Sequence, residues 1–574
     1  MNSAIYEHTE DAIQYARDVI LGVIPACETI YNACQRFFRD ISADQYVFDH
    51  YLANKACNFI QLLPHTKGRW AGKKELIKLK PWQKFLVCNI FGWIDKPGLP
   101  TLDYPYGYPG GFRRFRKIDF MVARKNGKSI LAAAIGLYVF CENGNDFAPE
   151  VFSGATTEKQ AMEVFKPARL MCLKTSELTE HYDIQINARN LSLPDSGGKF
   201  EPVIGNPGDG SSPSCWIVDE YHEHATSEQV DTATTGMGAR EEPLLLIITT
   251  AGFNTSSPCY QEYSSAKKML AGLLPMDEQL FALIYELDED DDYRDPANWI
   301  KSNPNLGISV YTKYIEAAVA KAVRSSSDEN TVLTKNFNRW TNAKLAWINS
   351  QQWSACGDSN LYEGDFITDT CIGAVDLSSR IDLTAFARLY LRMIEGERHY
   401  YVFVDHFLPH ATIQSRSNDA YIGWWKDDHI TACGENEIDF NEITEHVSDF
   451  LTVCNVREIA YDTWKASQLA QTLSSAGAIM VEYRQQVKDM TEAMKELEGA
   501  IASGRFHHAN CPVLTWEAGN VTNRVDRKGN YFPNKDCVGN KIDGIVAVIM
   551  AVGRAMHDLV VDDSCYDKRD VREL

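Results

Sequence analysis

Gly127, Lys128 and Ser129 stand where an apolar run, Phe120-Met121-Val122-Ala123, breaks into a short basic loop, Arg124-Lys125-Asn126, ahead of a small-residue helix predicted over 130–140. Strand, tight loop and helix N-terminus in that order aim backbone N–H groups and the positive end of a helix dipole at an anion. A lysine there reaches the β and γ oxygens of a triphosphate, and the Ser129 hydroxyl can ligate Mg²⁺. Val122 departs from the pattern, because a glycine usually opens such a loop.

Hydrolysis of a bound triphosphate needs acids near the same spot. Cys215-Trp216-Ile217-Val218 reads as a buried strand running into Asp219-Glu220, and ligands of α/β sheets gather at strand C-termini. Asp219 would hold the Mg²⁺ of bound ATP through water, and Glu220 would orient or deprotonate the attacking water. A third apolar strand, 243–248, ends in Thr249-Thr250-Ala251-Gly252. Its hydroxyls read either as a sensor beside the γ-phosphate or as an ordinary strand-to-turn transition. Trp82 and Gln83 open a helix after Pro81. They could stack on adenine and read its edge, or simply start a helix with a buried tryptophan.

A second set of acids lies downstream. Asp376 ends one predicted strand, Asp462 ends another, and Asp543 heads the last long helix, predicted to run to His557. Each alone reads as a turn residue or an N-cap. Together they can hold two divalent cations about 4 Å apart, the arrangement that activates water and stabilises the leaving oxygen in phosphodiester cleavage.

These side chains need a large scaffold. The chain has 574 residues, more than one core can bury, with 45% hydrophobic and 24% charged residues. Its net charge of −21 argues against uniform wrapping of nucleic acid. Any such contact would be local, for example at Arg113-Arg114-Phe115-Arg116-Lys117, which reads equally as a solvated loop. Fifteen cysteines without a Cys-x-x-Cys pair read as reduced core residues. The acidic, polar start is no signal peptide, and no apolar run is long enough to span a bilayer. Residues 11–60 read as helical, the region 118–252 alternates strands and helices as a parallel α/β layer, and 293–350 reads as a helical connector. From Cys371 three antiparallel strands precede alternating helices and strands, the layout of ribonuclease-H-like nucleases. The expected division is a helical region over 1–65, a P-loop ATPase core over 66–270, a lid over 271–355, a mixed-sheet nuclease over 356–560 and a tail over 561–574.

In these motifs, taken in order, the chain resembles the large terminase subunits of tailed double-stranded DNA phages, in the HK97-like branch. The likeness rests on Pro81-Trp82-Gln83, Ala123 to Ser129, Ile217 to His222, Gly236 to Arg240, Ile248 to Gly252, Val375 to Ser379, Ala460-Tyr461-Asp462, Trp516, Asn520-Val521 and Lys541 to Gly544. The resemblance implies a motor that drives double-stranded DNA into a procapsid through its portal, and a nuclease that cuts concatemers. It assigns ATP hydrolysis to Lys128, Ser129, Asp219 and Glu220, coupling to Thr249 and Thr250, and cleavage with Mg²⁺ or Mn²⁺ to Asp376, Asp462 and Asp543. Arg124 falls where such motors carry a phosphate-contacting arginine, and Arg189 or Arg240 could serve a neighbouring subunit. Also implied are a small terminase subunit, a ring that is a pentamer while packaging, and residence in the host bacterial cytoplasm rather than the mature virion. The competing expectation is a cellular DNA helicase or repair ATPase with a fused nuclease.

Overall fold

The computed structural model describes residues 6–557, apart from 44, 100–108, 143–146, 206, 207, 209, 256, 325, 342–346, 378–380, 416–418, 526–528 and 536–538. Ser378, Ser379 and the tail expected over 561–574 lie outside the described residues. The chain divides into two units: Met1–Lys321 with Thr331–Trp340, and Ala322–Asn330 with Thr341–Leu574.

The first unit is built on an eight-stranded sheet. Its strands run in the spatial order Leu280–Ile284, Lys117–Met121, Leu244–Thr249, Cys215–Asp219, Glu150–Ala155, Gly198–Ile204, Leu191–Leu193, Gln185–Ile186. The first six are mutually parallel, Leu191–Leu193 pairs antiparallel with Gly198–Ile204, and Gln185–Ile186 pairs antiparallel with Leu191–Leu193 in turn. Parallel strands covered on both faces carry unbroken apolar runs, and the three strands 215–219, 244–249 and 280–284 are buried at every position. Successive side chains alternate between two cores. Ile118, Phe120, Ile217, Leu246 and Ile248 face the core shared with the N-terminal helices and the phosphate-loop helix, Lys128–Glu142. Met121, Trp216, Val218, Leu245 and Ile247 face a core covered by Pro258–Leu270. The helical start takes the form of Glu7–Ile20, Glu28–Ser42 and His50–Leu62.

The first half of the basic run 113–117 is neither a surface patch nor a solvated loop. Arg113 and Arg114 are buried. Arg114 pairs with Asp40 and Glu278, and Lys117 with Glu262, so their charges are spent inside the fold.

In the second unit the meander forms as expected. Cys371–Asp376, Thr384–Ile394 and Glu397–Leu408 pair antiparallel, and Val456–Tyr461 and Met480–Glu482 extend the sheet in parallel. The helix Asp543–Met556 lies on this sheet, burying Ile545 to Val552 against Ile372, Ala374, Ala387 and Leu389. Among the described residues the cysteines are free thiols, buried apart from Cys141 and Cys511, and no helix is long and apolar enough to cross a membrane.

Candidate functional site

Three strand tips meet at one edge of the first sheet, because Met121 pairs with Thr249 and Ile248 with Asp219. After Met121 the chain folds back through Lys125 at φ 72° and Gly127 at φ 87°. Glycine takes the left-handed region freely, whereas lysine is strained there, a cost that persists only where the surroundings enforce it. The enforcement comes from asparagines. Asn126 is fully buried, and its Nδ2 donates to Ala123 O at 3.0 Å and to Asn303 Oδ1 at 3.1 Å. Its Oδ1 and backbone O accept from Asn305 N and Nδ2, each at 3.0 Å.

Over the helix N-terminus opens a cavity of 790 Å³, and Gln83, Arg124, Lys125, Gly127, Lys128, Ser129 and Glu220 are among its lining. Trp82, Asn126, Asp219, Thr249 and Thr250 stand behind that lining. For Trp82 this replaces the expected stacking role. Its indole is 3% exposed, lies beside Phe120 and Tyr285, and donates from Nε1 to Asn305 Oδ1 at 3.0 Å. A ring held in the core is out of reach of a base. Gln83 does line the cavity, while its Oε1 accepts from Lys80 N at 2.9 Å.

The acids sit close behind the lysine. Glu220 has φ 51°, a strained conformation of the kind found at functional sites, and its Oε1 is 3.4 Å from Lys128 Nζ. Burial works to raise the Glu220 carboxyl, but the nearby cations, Lys128 first and then Arg124 and Lys335, hold it below its ordinary range. Asp219 goes the other way. Burial, then the Glu220 carboxylate, push it up to about 7 against the pull of Lys128. Two crowded carboxyls with hard oxygen donors, whose mutual repulsion a cation relieves, suit the Mg²⁺ of a nucleotide.

His222, given no role in the sequence, is the hub of this region. Its N and Nδ1 lie 3.1 and 2.8 Å from Thr249 Oγ1, which donates to Thr250 O at 3.0 Å. Burial, foremost, lowers the imidazole below its ordinary range. A neutral ring then donates from Nδ1 and accepts at Nε2 from Lys335 Nζ, 2.9 Å away. Lys335 itself is lowered to about 8 by burial and then by Arg124, whose backbone N donates to Lys335 O at 3.1 Å. Thr249 therefore connects to Glu220, 3.2 Å from His222 Nδ1, and to Lys335 through one side chain. The two further arginines part company. Arg240 spends its guanidinium on the carbonyls of Ser212, Phe147 and Ala148. Arg189 remains on the surface, its side chain 78% exposed beside Glu158.

In the second unit Asp376 ends its strand and accepts at Oδ1 from Gln485 Nε2 at 2.9 Å. Asp462 follows Tyr461, the register partner of Val375, so the two aspartates close adjacent parallel strands. Asp543 is the first residue of its helix rather than its cap, which is Ile542 without a side-chain bond. Its carboxyl is raised well above its ordinary value by burial, then by Asp376, Glu517 and Asp382, with Lys535 opposing. Asp382 pairs with Lys541 Nζ at 2.5 Å, and Asp405 is taken up by Arg388 and His446. Among the described residues no three His, Cys, Asp or Glu side chains form a finished cation cage. The Asp376 carboxylate nonetheless acts on Asp543, and the repulsion and all-oxygen chemistry of the two acids fit Mg²⁺ or Mn²⁺.

Residues 81–268 match the family profile described as terminase large subunit, ATPase domain, and residues 275–558 the one described as terminase large subunit, endonuclease domain. Protein YmfN of Escherichia coli K12 is 41% identical over 360 residues, covering 61% of this chain and 79% of that protein. The terminase large subunit of Enterobacteria phage HK97 is 28% identical over 465 residues, covering 79% of this chain and 89% of that protein. The crystal structure of the HK97 large terminase covers 88% of this chain and 99% of its own at 25% identity, with a TM-score of 0.42. Nothing in these matches supports the helicase alternative.

Proposed function

Since the chain belongs to the terminase large subunit family, whose ATPase and endonuclease domains serve DNA packaging, we propose how its own residues divide that work. Lys128 binds the β and γ oxygens of ATP, Ser129 and Asp219 hold the nucleotide's Mg²⁺, and Arg124 and Lys125 line the phosphate side of the cavity. Glu220 takes the proton of the attacking water, its carboxylate kept charged by Lys128. His222 and Thr249 pass the state of the γ-phosphate to Lys335. In the second unit Asp376, Asp462 and Asp543 hold the cations of the nuclease, with Gln485 orienting Asp376. Bound divalent cations supply charge neutralisation at the phosphates and an activated water for DNA cleavage.

The observation that carries this reading is the shared strand edge, where Lys128 and Glu220 lie 3.4 Å apart over a cavity of 790 Å³. We further propose that the subunit works as a ring, a pentamer while packaging, on the portal of a procapsid in the host cytoplasm, with a small terminase subunit choosing the cut site. Arg189, the exposed one of the two candidate arginines, is the one able to serve a neighbouring subunit.

Two single substitutions test the division of labour. Lys128→Ala should abolish ATP hydrolysis and leave metal-dependent plasmid nicking in place. Asp376→Ala should do the reverse. Cleavage by Asp376→Ala at the wild-type rate with Mg²⁺ and with Mn²⁺ would refute the nuclease assignment, and wild-type ATPase in Lys128→Ala the other.

A further inference from the structure

Trp516, Asn520 and Gly544 belong to stretches that mark the family likeness, yet none of them takes part in the chemistry above. The helix Pro512–Asn520 gives two of these positions a common purpose. Glu517 and Asn520 are three residues apart, so they share one face, and that face meets the segment 541–544. Glu517 Oε1 accepts from Gly544 N at 2.9 Å, and Asn520 Nδ2 donates to Lys541 O at 2.9 Å. The other carboxylate oxygen, Glu517 Oε2, lies 3.0 Å from His406 Nε2. Glu517 and Asn520 are fully buried and His406 is 1% exposed.

Gly544 has no room for anything larger. A Cβ there would stand 2.1 Å from Glu517 Oε2 and 2.7 Å from His406 Nε2. The glycine thus lets a buried ion pair press directly on the first turn of the helix that Asp543 heads. Burying a charged pair is costly, and the free N–H groups of a helix N-terminus need acceptors, which a local side-chain cap can supply. Here Ile542 offers no side-chain cap, and a carboxylate from another helix does the work. The two bonds fall on either side of Asp543, one at residue 541 and one at residue 544.

The geometry points to Glu517, backed by His406 and assisted by Asn520, as a clamp that sets the Asp543 carboxylate opposite Asp376 for cation binding. These are positioning residues. The inference rests on Asp376 and Asp543 being cation-holding carboxylates, and its test must separate failure of the clamp from failure of that premise.

Calorimetric titration of the full chain with Mn²⁺ alone, without nucleotide, makes that separation. Glu517→Ala should weaken Mn²⁺ binding about 10–100-fold, the usual cost of removing a group that orients a ligand. Glu517→Gln, which can still accept from Gly544 N and donate to a neutral His406, should stay close to wild type. Asp543→Asn should lose the binding altogether. Wild-type affinity in Glu517→Ala alongside loss in Asp543→Asn overturns the clamp alone. Wild-type affinity in Asp543→Asn overturns the premise. Equal losses in Glu517→Ala and Glu517→Gln would make Glu517 a direct ligand, which also overturns the clamp. Should Glu517→Ala fail to fold, Asn520→Ala removes one of the two bonds, and unchanged Mn²⁺ affinity there refutes the proposal.

Discussion

Asp119 lies in the middle of the phosphate-loop strand, fully buried, with neither carboxylate oxygen in a hydrogen bond. Burial, then Glu262 and Asp277, push its carboxyl up to about 6, and only Lys117 pulls it down. In the unfolded chain the same group titrates near 3.8. Below that value both states are protonated and Asp119 costs the fold nothing. As the pH climbs from 4 to 6 the unfolded chain ionises first and the native state loses ground. Above 6 the loss is complete, at about 3 kcal/mol for a shift of roughly two units. Asp119→Asn removes the charge and leaves an amide equally short of partners. It should therefore stabilise the first unit by about 1–3 kcal/mol at pH 8 and have little effect at pH 4. Each kcal/mol corresponds to about 2–4 °C in a domain of 150–250 residues, and to less in this larger one. Calorimetric melting at both pH values reads the effect, and the transition raised by ATP identifies the unit. A gain of the same size at pH 4 and pH 8, or none at pH 8, would refute the reasoning.

Trp82→Phe keeps the packing but strips Asn305 Oδ1 of its donor. It should raise KM for ATP several-fold, a cost of about 1 kcal/mol, with a smaller change in kcat in steady-state assays. Lys335→Met leaves His222 Nε2 without its donor, and kcat should fall about tenfold at constant KM, the worth of one charged bond. Because Lys335 is lowered to about 8, its charge is present below that pH and lost above it. Wild-type ATPase should accordingly decline past pH 8 while the variant stays flat there. Gly252→Ala would place a methyl 2.9 Å from the Trp340 ring and 3.1 Å from His222 Cβ. The resulting crowding should cost about 1–3 kcal/mol of thermal stability and lower kcat, and an unchanged melting temperature would contradict it.

What could be read from the sequence was local. The phosphate loop, the acid-tipped strand and the three-strand meander are contiguous runs whose apolar content and breaks declare themselves, and Lys128, Ser129 and Glu220 fall where those breaks put them. The misread residues depend on partners far along the chain. A tryptophan beside a glutamine looks the same whether it faces a ligand or a core, and Asn305, which decides the matter for Trp82, is 223 positions away. Arg114 looked free because Asp40 and Glu278 are remote in sequence. Lys335 and Glu517 escaped notice for the same reason, and His222, though part of a motif, showed no role. The only available sign was an isolated polar residue in an apolar setting, as with Glu517 three positions after Leu514 and before Ala518.

The asparagine clasp around the phosphate loop bears on tempo. Every bond in it is made by the chain's own side chains and backbone, so the loop keeps its shape without help from its ligand. Ordering a free loop would cost about 1–2 kcal/mol per residue at each encounter, and a preorganised one avoids that toll in both directions of exchange. Nucleotide can then arrive at a rate set by diffusion and leave without a refolding step. In a machine that must fire many times in succession, the dwell between strokes is left to hydrolysis and to the movements that follow it.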